Sequence, residues 1–213
     1  MSTATNWSIN RWALWLVWLA AIAGCGGPGG PGNVAQRSAQ DIAVQSADVK
    51  GLVRCTQSGK PDAVIQTMRT GNDSHDAGQL STAWDIATTN GGRDGYLVGY
   101  AASTADCDQY LFGPMPLETL QDRWVFNFVV VFSSDKEAQA AWETGLLFGS
   151  PDQLGSLGAT VGSTTGFGDH SLVGTGAIPW LGIWTKGSSY SALATNYGAP
   201  TATQLAKTVA GRM

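Results

Sequence analysis

Apolar and polar positions divide the chain into a continuous apolar run, a glycine-rich stretch and a long region of alternating periods. The run is Trp12 to Ala23, and Gly26-Gly27-Pro28-Gly29-Gly30-Pro31-Gly32 follows it without period or apolar side chain. Ala35 to Val49 is weakly helical, with Ile42, Val44 and Val49 as its only larger apolar residues. Leu52-Val53-Arg54-Cys55 is a loop or a brief strand. A helix opens at Lys60-Pro61-Asp62, where proline suits a first turn whose N–H has no helical partner. Val64, Ile65 and Met68 share one of its faces, and Gly71-Asn72-Asp73 ends it. The spacing of Leu80, Ala83, Trp84 and Ala87 predicts a second helix over Asp76–Thr89, stopped by Asn90-Gly91-Gly92.

The period then shortens to two. Gly95 to Ala102 reads as a strand, and Asp106-Cys107-Asp108 and Gly113-Pro114-Met115-Pro116 as loop. Trp124 to Phe132 is the clearest strand; it is apolar on both faces apart from Asn127, which predicts a central position. Ser134-Asp135-Lys136-Glu137 has the form of a capping box, launching a helix with Ala138, Ala141, Trp142 and Gly145 on or near one face. Gly149 to Gly168 is Gly- and Ser-rich and reads as surface loop. Ser171–Gly174, Ile178–Thr185 and Tyr190–Asn196 are strands, the last two joined by a Lys186-Gly187 turn. Thr201 to Arg212 closes the chain as a helix with Leu205 and Val209 one turn apart. This order predicts one α+β domain: an antiparallel sheet with helices packed on one face. The helix–strand and strand–helix segments leave a degenerate duplication open.

The apolar run gives the N-terminus its own meaning. Its twelve residues match the core of a secretory signal and fall short of the roughly 20 that a spanning helix needs. It ends in Ile22-Ala23-Gly24-Cys25, which resembles the bacterial lipobox. The resemblance implies that the Cys25 thiol becomes a diacylglyceryl thioether and that the chain is cut between Gly24 and Cys25. Two or three acyl chains, at about 0.8 kcal/mol per buried methylene, hold a protein on a bilayer where one does not. Trp7, Trp12, Trp15 and Trp18 suit a membrane interface. The alternatives are an ordinary cleaved signal with Cys25 free, or an uncleaved N-terminal helix. The expected organisation is a signal over 1–24, a lipid-anchored Gly/Pro-rich linker over 25–47 and a globular domain over 48–213, folding beginning between Ser38 and Asp48. The linker's glycines do not form a phosphate loop, because no strand precedes them and no Lys-Ser/Thr follows.

Charge narrows the partners. Removing Arg11 with the signal takes no acid away, so the net charge moves from −4 to −5. No basic run survives, which argues against nucleic acid and polybasic membrane contact. Partners are then the membrane, through the acyl chains, and an unidentified small ligand or envelope protein. Three cysteines are present. With Cys25 acylated, Cys55 and Cys107 remain as an even pair in an oxidising space, most simply one disulfide.

Candidate chemistry is sparse. G-x-S-x-G, H-E-x-x-H, P-loop and C-x-x-C patterns are all missing, and two histidines limit Ser-His catalysis and metal ligation. His75, within Asn72-Asp73-Ser74-His75-Asp76, reads as part of a polar helix start capped by Asp73 or Ser74. Asp169 and His170 could serve Ser163, Thr164 or Thr165 as orienting acid and base. Neighbours in a strand point to opposite faces, however, and an Asx-type turn explains Asp169 better. Asp106 and Asp108 lack the six to eight oxygens that calcium takes. No catalytic residue, metal ligand or cofactor is assigned. Trp180 and Trp184 share a strand face with Gly182 between them, leaving a slot for a flat apolar or sugar-like ligand, or for a packed helix.

A second resemblance covers under a quarter of the chain. Thr165-Gly166-Phe167-Gly168-Asp169-His170, two strands, then Ala202-x-x-Leu205-Ala206-x-x-Val209 resembles the end of certain exported bacterial lipoprotein domains. The extracellular sensor-type domains of membrane-bound serine/threonine kinases end similarly, in a Gly-Leu-Gly-Asp turn, a hairpin and an amphipathic helix. Phe167 stands where that pattern has Leu. The resemblance implies an α+β fold and carries over no site residue.

The expectation is an extracytoplasmic, lipid-anchored protein of a bacterial membrane with a non-catalytic ligand-binding or sensing role. The alternatives are an envelope hydrolase with dispersed active-site residues, or a scaffold partner in an envelope complex. Growing expressing cells with a clickable fatty acid tests the anchor: the wild type should carry the label and Cys25→Ser should lose it.

Overall fold

The computed structural model describes residues 37–71, 73–147, 149–162, 166–174 and 179–213, with only the backbone described at Ser74 and His75. The signal, Cys25 and most of the linker lie outside the described residues. So do Ser163, Thr164, Thr165 and Ile178.

A short helix α1 (Ala39–Ile42) is capped by the Ser38 side chain, which accepts from the Asp41 N–H. Strand β1 (Val53–Arg54) follows, then α2 (Pro61–Thr70) and α3 (Ser74–Thr89), the latter capped by Asp73. Next come β2 (Gly92–Ala101), α4 (Thr104–Asp106) with a π-helical turn over Cys107–Leu111, and β3 (Trp124–Phe132). Helices α5 (Asp135–Thr144) and α6 (Pro151–Ser156) precede the last four strands, β4 (Thr160–Val161), β5 (His170–Gly174), β6 (Trp180–Lys186) and β7 (Ser189–Thr195). Helix α7 (Ala199–Ala210) ends the fold.

The strands form one antiparallel sheet in the order β1-β2-β3-β7-β6-β5-β4. The α+β class, the antiparallel pairing and the central place of β3 are as the sequence predicts. The helical cover goes further than expected. Phe128, Val130 and Phe132 of β3 join a core with α2, α3 and α5 on one face. Val125, Val129 and Val131 join a second core with α1 and α7 on the other. Helices therefore pack on both faces, not one, because a strand apolar on both sides has to exclude water from both. The two hairpin-plus-helix segments, β2–β3–α5 and β6–β7–α7, meet along the antiparallel β3–β7 pair. A two-fold axis relating antiparallel neighbours stands normal to the sheet and would keep both helices on one side. Helices α5 and α7 lie on opposite sides, so such an axis does not relate these two segments.

The fold also starts before residue 48. Ala39, Ile42, Ala43 and Val44 are buried on the second face. This segment crosses the sheet instead of joining it as a strand, so its buried peptide groups need side-chain partners. Asn127, fully buried in β3, accepts from the Val44 N–H at 3.0 Å and donates to Ser191 Oγ and Ala192 O, both at 2.9 Å. The Tyr100 hydroxyl donates to Val44 O at 3.1 Å, and burial pushes its pKa above the usual phenol value. Asp94 accepts from the Ala39 N–H at 2.8 Å, and Arg212 grips Asp48 at 2.7 Å while donating to Ala43 O. The lone polar residue in the sequence's strongest strand is thus the clamp for the incoming chain. Asn127→Ala should cost about 2–3 kcal/mol, because it strands the buried Val44 N–H and the Ser191 hydroxyl. A urea titration should show a lower midpoint with an unchanged slope.

Candidate functional site

On the first face, glycines in β2 decide how closely the cover approaches. Gly95, Leu97 and Gly99 point the same way. A Cβ at Gly95 would lie 2.6 Å from the Trp84 ring of α3, and one at Gly99 would lie 2.6 Å from the Phe112 ring. Each missing side chain lets an aromatic ring rest on the sheet backbone. Between the two rings Leu97 holds the cover away.

The result is an apolar cleft of about 140 Å³ between α3 and the turn at Cys107–Leu111. Leu97, Phe126 and Ala194 line it from the sheet, Leu80 from α3, and Leu111 and Phe112 from the turn. Asp76 and Gln79 bring polar groups to it, and both are exposed. The Phe112 and Phe126 rings meet in a tilted arrangement at 6.2 Å. Such a lining offers an unspecific apolar surface with few polar anchors, which is how small-molecule pockets are built. The volume suits one ring-sized group or a short alkyl segment.

A covalent strut holds the turn side. Cys55 and Cys107 are bonded, as the cysteine count suggests, with Cα atoms 5.4 Å apart and a sequence separation of 52. The Cys55 N–H donates to Gly99 O at 2.9 Å, so the bridge ties the first residue of the turn to the strand on which Phe112 rests.

The aromatic slot lies elsewhere. Trp180, Gly182 and Trp184 share a face of β6 as predicted, but on the second core, away from the cleft. A Cβ at Gly182 would lie 2.5 Å from the Trp180 ring, so that indole lies along its own strand and occupies the space above the glycine. Phe167 approaches Trp184 at 5.5 Å and Trp180 at 6.3 Å, and the Trp184 Nε1–H donates to Met213 Sδ at 2.9 Å. Both indoles are buried beneath α7. The glycine serves aromatic packing rather than an opening.

The polar candidates are also separated. Asp169 Oδ2 accepts from the Gly187 N–H at 2.8 Å, bracing the β6–β7 turn, whereas His170 stacks on Trp142 at 6.1 Å. They do not form a dyad. Asp73 accepts from the Asp76 N–H at 3.3 Å as a helix cap, and the His75 side chain lies outside the described atoms. The Ser103 hydroxyl binds Asp106 and the Gln57 amide binds Asp108, on separate partners. Among the described residues no cluster of three or more His, Cys, Asp or Glu could hold a metal ion.

Sequence reasoning missed Leu80, Leu97, Phe112 and Phe126 as one site. The usable signal was Gly95-x-Leu97-x-Gly99: two gaps and a spacer on one strand face.

No protein-family model, curated protein or solved structure matches the chain.

In the chain-entropy account, closing this loop stabilises the fold by about 4 kcal/mol. Reduction of the Cys55–Cys107 bond, or the paired serine variant, should lower Tm by roughly 10 °C, at about 2–4 °C per kcal/mol for a chain of this size. A calorimetric scan with and without reductant measures it.

Proposed function

We propose that this protein is exported, held on a bacterial membrane by acyl chains on Cys25, and binds a small apolar ligand without transforming it. The observation that carries the binding role is the cleft over Leu97, an apolar-lined space above one leucine between two glycines. The lipobox supports the anchor, and the Cys55–Cys107 bond agrees with an oxidising compartment. Among the described residues no helix is long and apolar enough to cross a membrane, so attachment on this reading falls to the acyl chains.

The ligand in this reading presents an apolar ring or alkyl end to Leu97, Phe126 and Phe112, and a polar end toward Asp76 and Gln79. Asp76 disfavours an anionic head at that position by like-charge repulsion. A fluorescence titration with N-phenyl-1-naphthylamine, an uncharged apolar probe, tests the reading. Saturable one-to-one binding is expected, weakened about tenfold in Ala194→Met, whose longer side chain fills the cleft from the sheet; tenfold corresponds to about 1.4 kcal/mol. An unchanged urea midpoint in that variant would separate filling from misfolding. Absence of saturable binding, or equal binding to both proteins, would overturn the role assigned to the cleft.

A further inference from the structure

Charge is divided unequally between the two faces of the sheet. Helices α2, α3, α5 and α6, on the first face, bear exposed carboxylates at Asp62, Asp76, Asp85, Asp135, Glu143 and Asp152, against the two cations Arg69 and Lys136 among the described side chains. Helix α7, on the second face, bears no carboxylate at all. Basic residues scattered through the sequence collect around it. Arg37 donates to Arg212 O, and Lys186 Nζ donates to Ala210 O at the end of the helix. Lys207 is exposed on α7 itself. Lys50 and Arg123 flank an open groove of about 490 Å³ whose other side is the α7 surface at Thr201, Gln204 and Thr208. Arg123 lies over the Tyr197 ring at 5.7 Å, which holds its guanidinium at the groove.

The acids on this side are few. Asp48 is spent on Arg212, Asp94 accepts from the Ala39 N–H and pairs with Lys60, and Asp169 accepts from the Gly187 N–H. Asp41 and Asp122 are exposed. Arg37, Lys50, Arg123, Lys186 and Lys207 are left as exposed cations about one helix. The chain from the proposed anchor also enters the fold here, since Arg37 touches Arg212.

We propose that the α7 face, with the groove between Lys50, Arg123 and Gln204, is a docking surface for the anionic headgroup layer of a membrane. The inference rests on the membrane-anchor reading: the tether joins the fold at Arg37, beside this face. Phosphate oxygens would meet the three lysines and Arg123, while Tyr197, Pro200 and Leu205 give the groove an apolar side for the glycerol region. Carboxylates on α2, α3, α5 and α6 would be repelled, so the charge division also sets orientation. The cleft over Leu97, on the opposite face, would then open away from the bilayer.

Lysines on both faces supply the test. The full-length protein is reconstituted with vesicles of phosphatidylcholine, either alone or with phosphatidylglycerol at about one lipid in three, acetylated briefly with an N-hydroxysuccinimide ester, and read by mass spectrometry. Lys50 and Lys207 should be acetylated about threefold more slowly on the anionic vesicles, Lys136 of α5 at equal rates on both. About 0.5 M NaCl should abolish the difference by screening, and Arg123→Glu should weaken it at Lys50 and Lys207. Equal rates at all three lysines on the two vesicle types would overturn the docking face, as would equal protection by soluble glycerol phosphate, which would make the groove a site for a free anion. Recovery of the protein with neutral vesicles reads the acyl anchor separately. Its loss in Cys25→Ala, with Lys50 and Lys207 still protected at high anionic lipid, is expected if both the anchor and the face act.

Discussion

A strand buried on both sides sets the terms for the rest of the molecule. Strand β3 lies between β2 and β7, and its side chains enter two separate cores. Neither face can be left to water, since exposing three or four large apolar side chains on either would forfeit several kcal/mol of transfer free energy. One layer of helices is therefore insufficient, and the chain has to supply a second from what remains at its two ends. It does so with α7 and with α1 and its continuation to Val49. The N-terminal part of that layer is short and irregular, and it is held by side chains rather than by a ladder. Asn127, Tyr100, Asp94 and Arg212 each provide a partner that secondary structure does not.

Glycine positions then decide how the two layers differ. On the first face, Gly95 and Gly99 bring Trp84 and Phe112 down to the strand and leave a cleft above Leu97. On the second face, Gly182 takes up the ring of Trp180 and leaves nothing open. Gly168 acts differently again: a Cβ there would lie 2.0 Å from Thr185 O, so the segment from Gly166 can press against β6 only without one. That contact seats Phe167 against both indoles and aims Asp169 at the Gly187 N–H. The Gly-Phe-Gly-Asp segment thus braces the C-terminal hairpin, a structural duty that accounts for its residues without any chemistry.

Much of this was legible in the sequence because period and capping are local. Pro61 opened α2, Asp73 capped α3, Ser134 capped α5 by accepting from the Glu137 N–H, and β3 read as central. The reciprocal half of the Ser134 box is not made; the Glu137 carboxylate instead lies over Gly91, where a Cβ would come within 2.5 Å of Glu137 Cδ. Other features were illegible because they depend on distant parts of the chain. Helix α1 has four residues and no period to detect, and its burial comes from β2 and β3. Helix α6, at Pro151–Ser156, stood inside a stretch that composition marks as loop, although Ser150 caps it and Gln153 completes the box. The π-helical turn over Cys107–Leu111, in which only Cys107 and Asp108 read as loop, is bonded to Cys55 at its first residue and followed by Phe112 on Gly99. The slot between Trp180 and Trp184 failed for a related reason: a pattern gives the side on which an indole lies, not whether it stands up or lies along the strand.

The same distinction governs the reading of charge. A sequence without a basic run argues against a basic surface only if surfaces are built from neighbours in the chain. Here Arg37, Lys50, Arg123, Lys186 and Lys207 come from five separate segments and meet because the second helical layer is assembled from both chain ends. Seven of the sixteen acids lie on the helices of the first layer, which come from the middle of the chain, and none lies on α7. Chain topology and charge division are therefore one fact seen twice. A sheet that must be covered on both sides, by the ends on one and the middle on the other, turns a modest compositional asymmetry along the sequence into a difference between two faces.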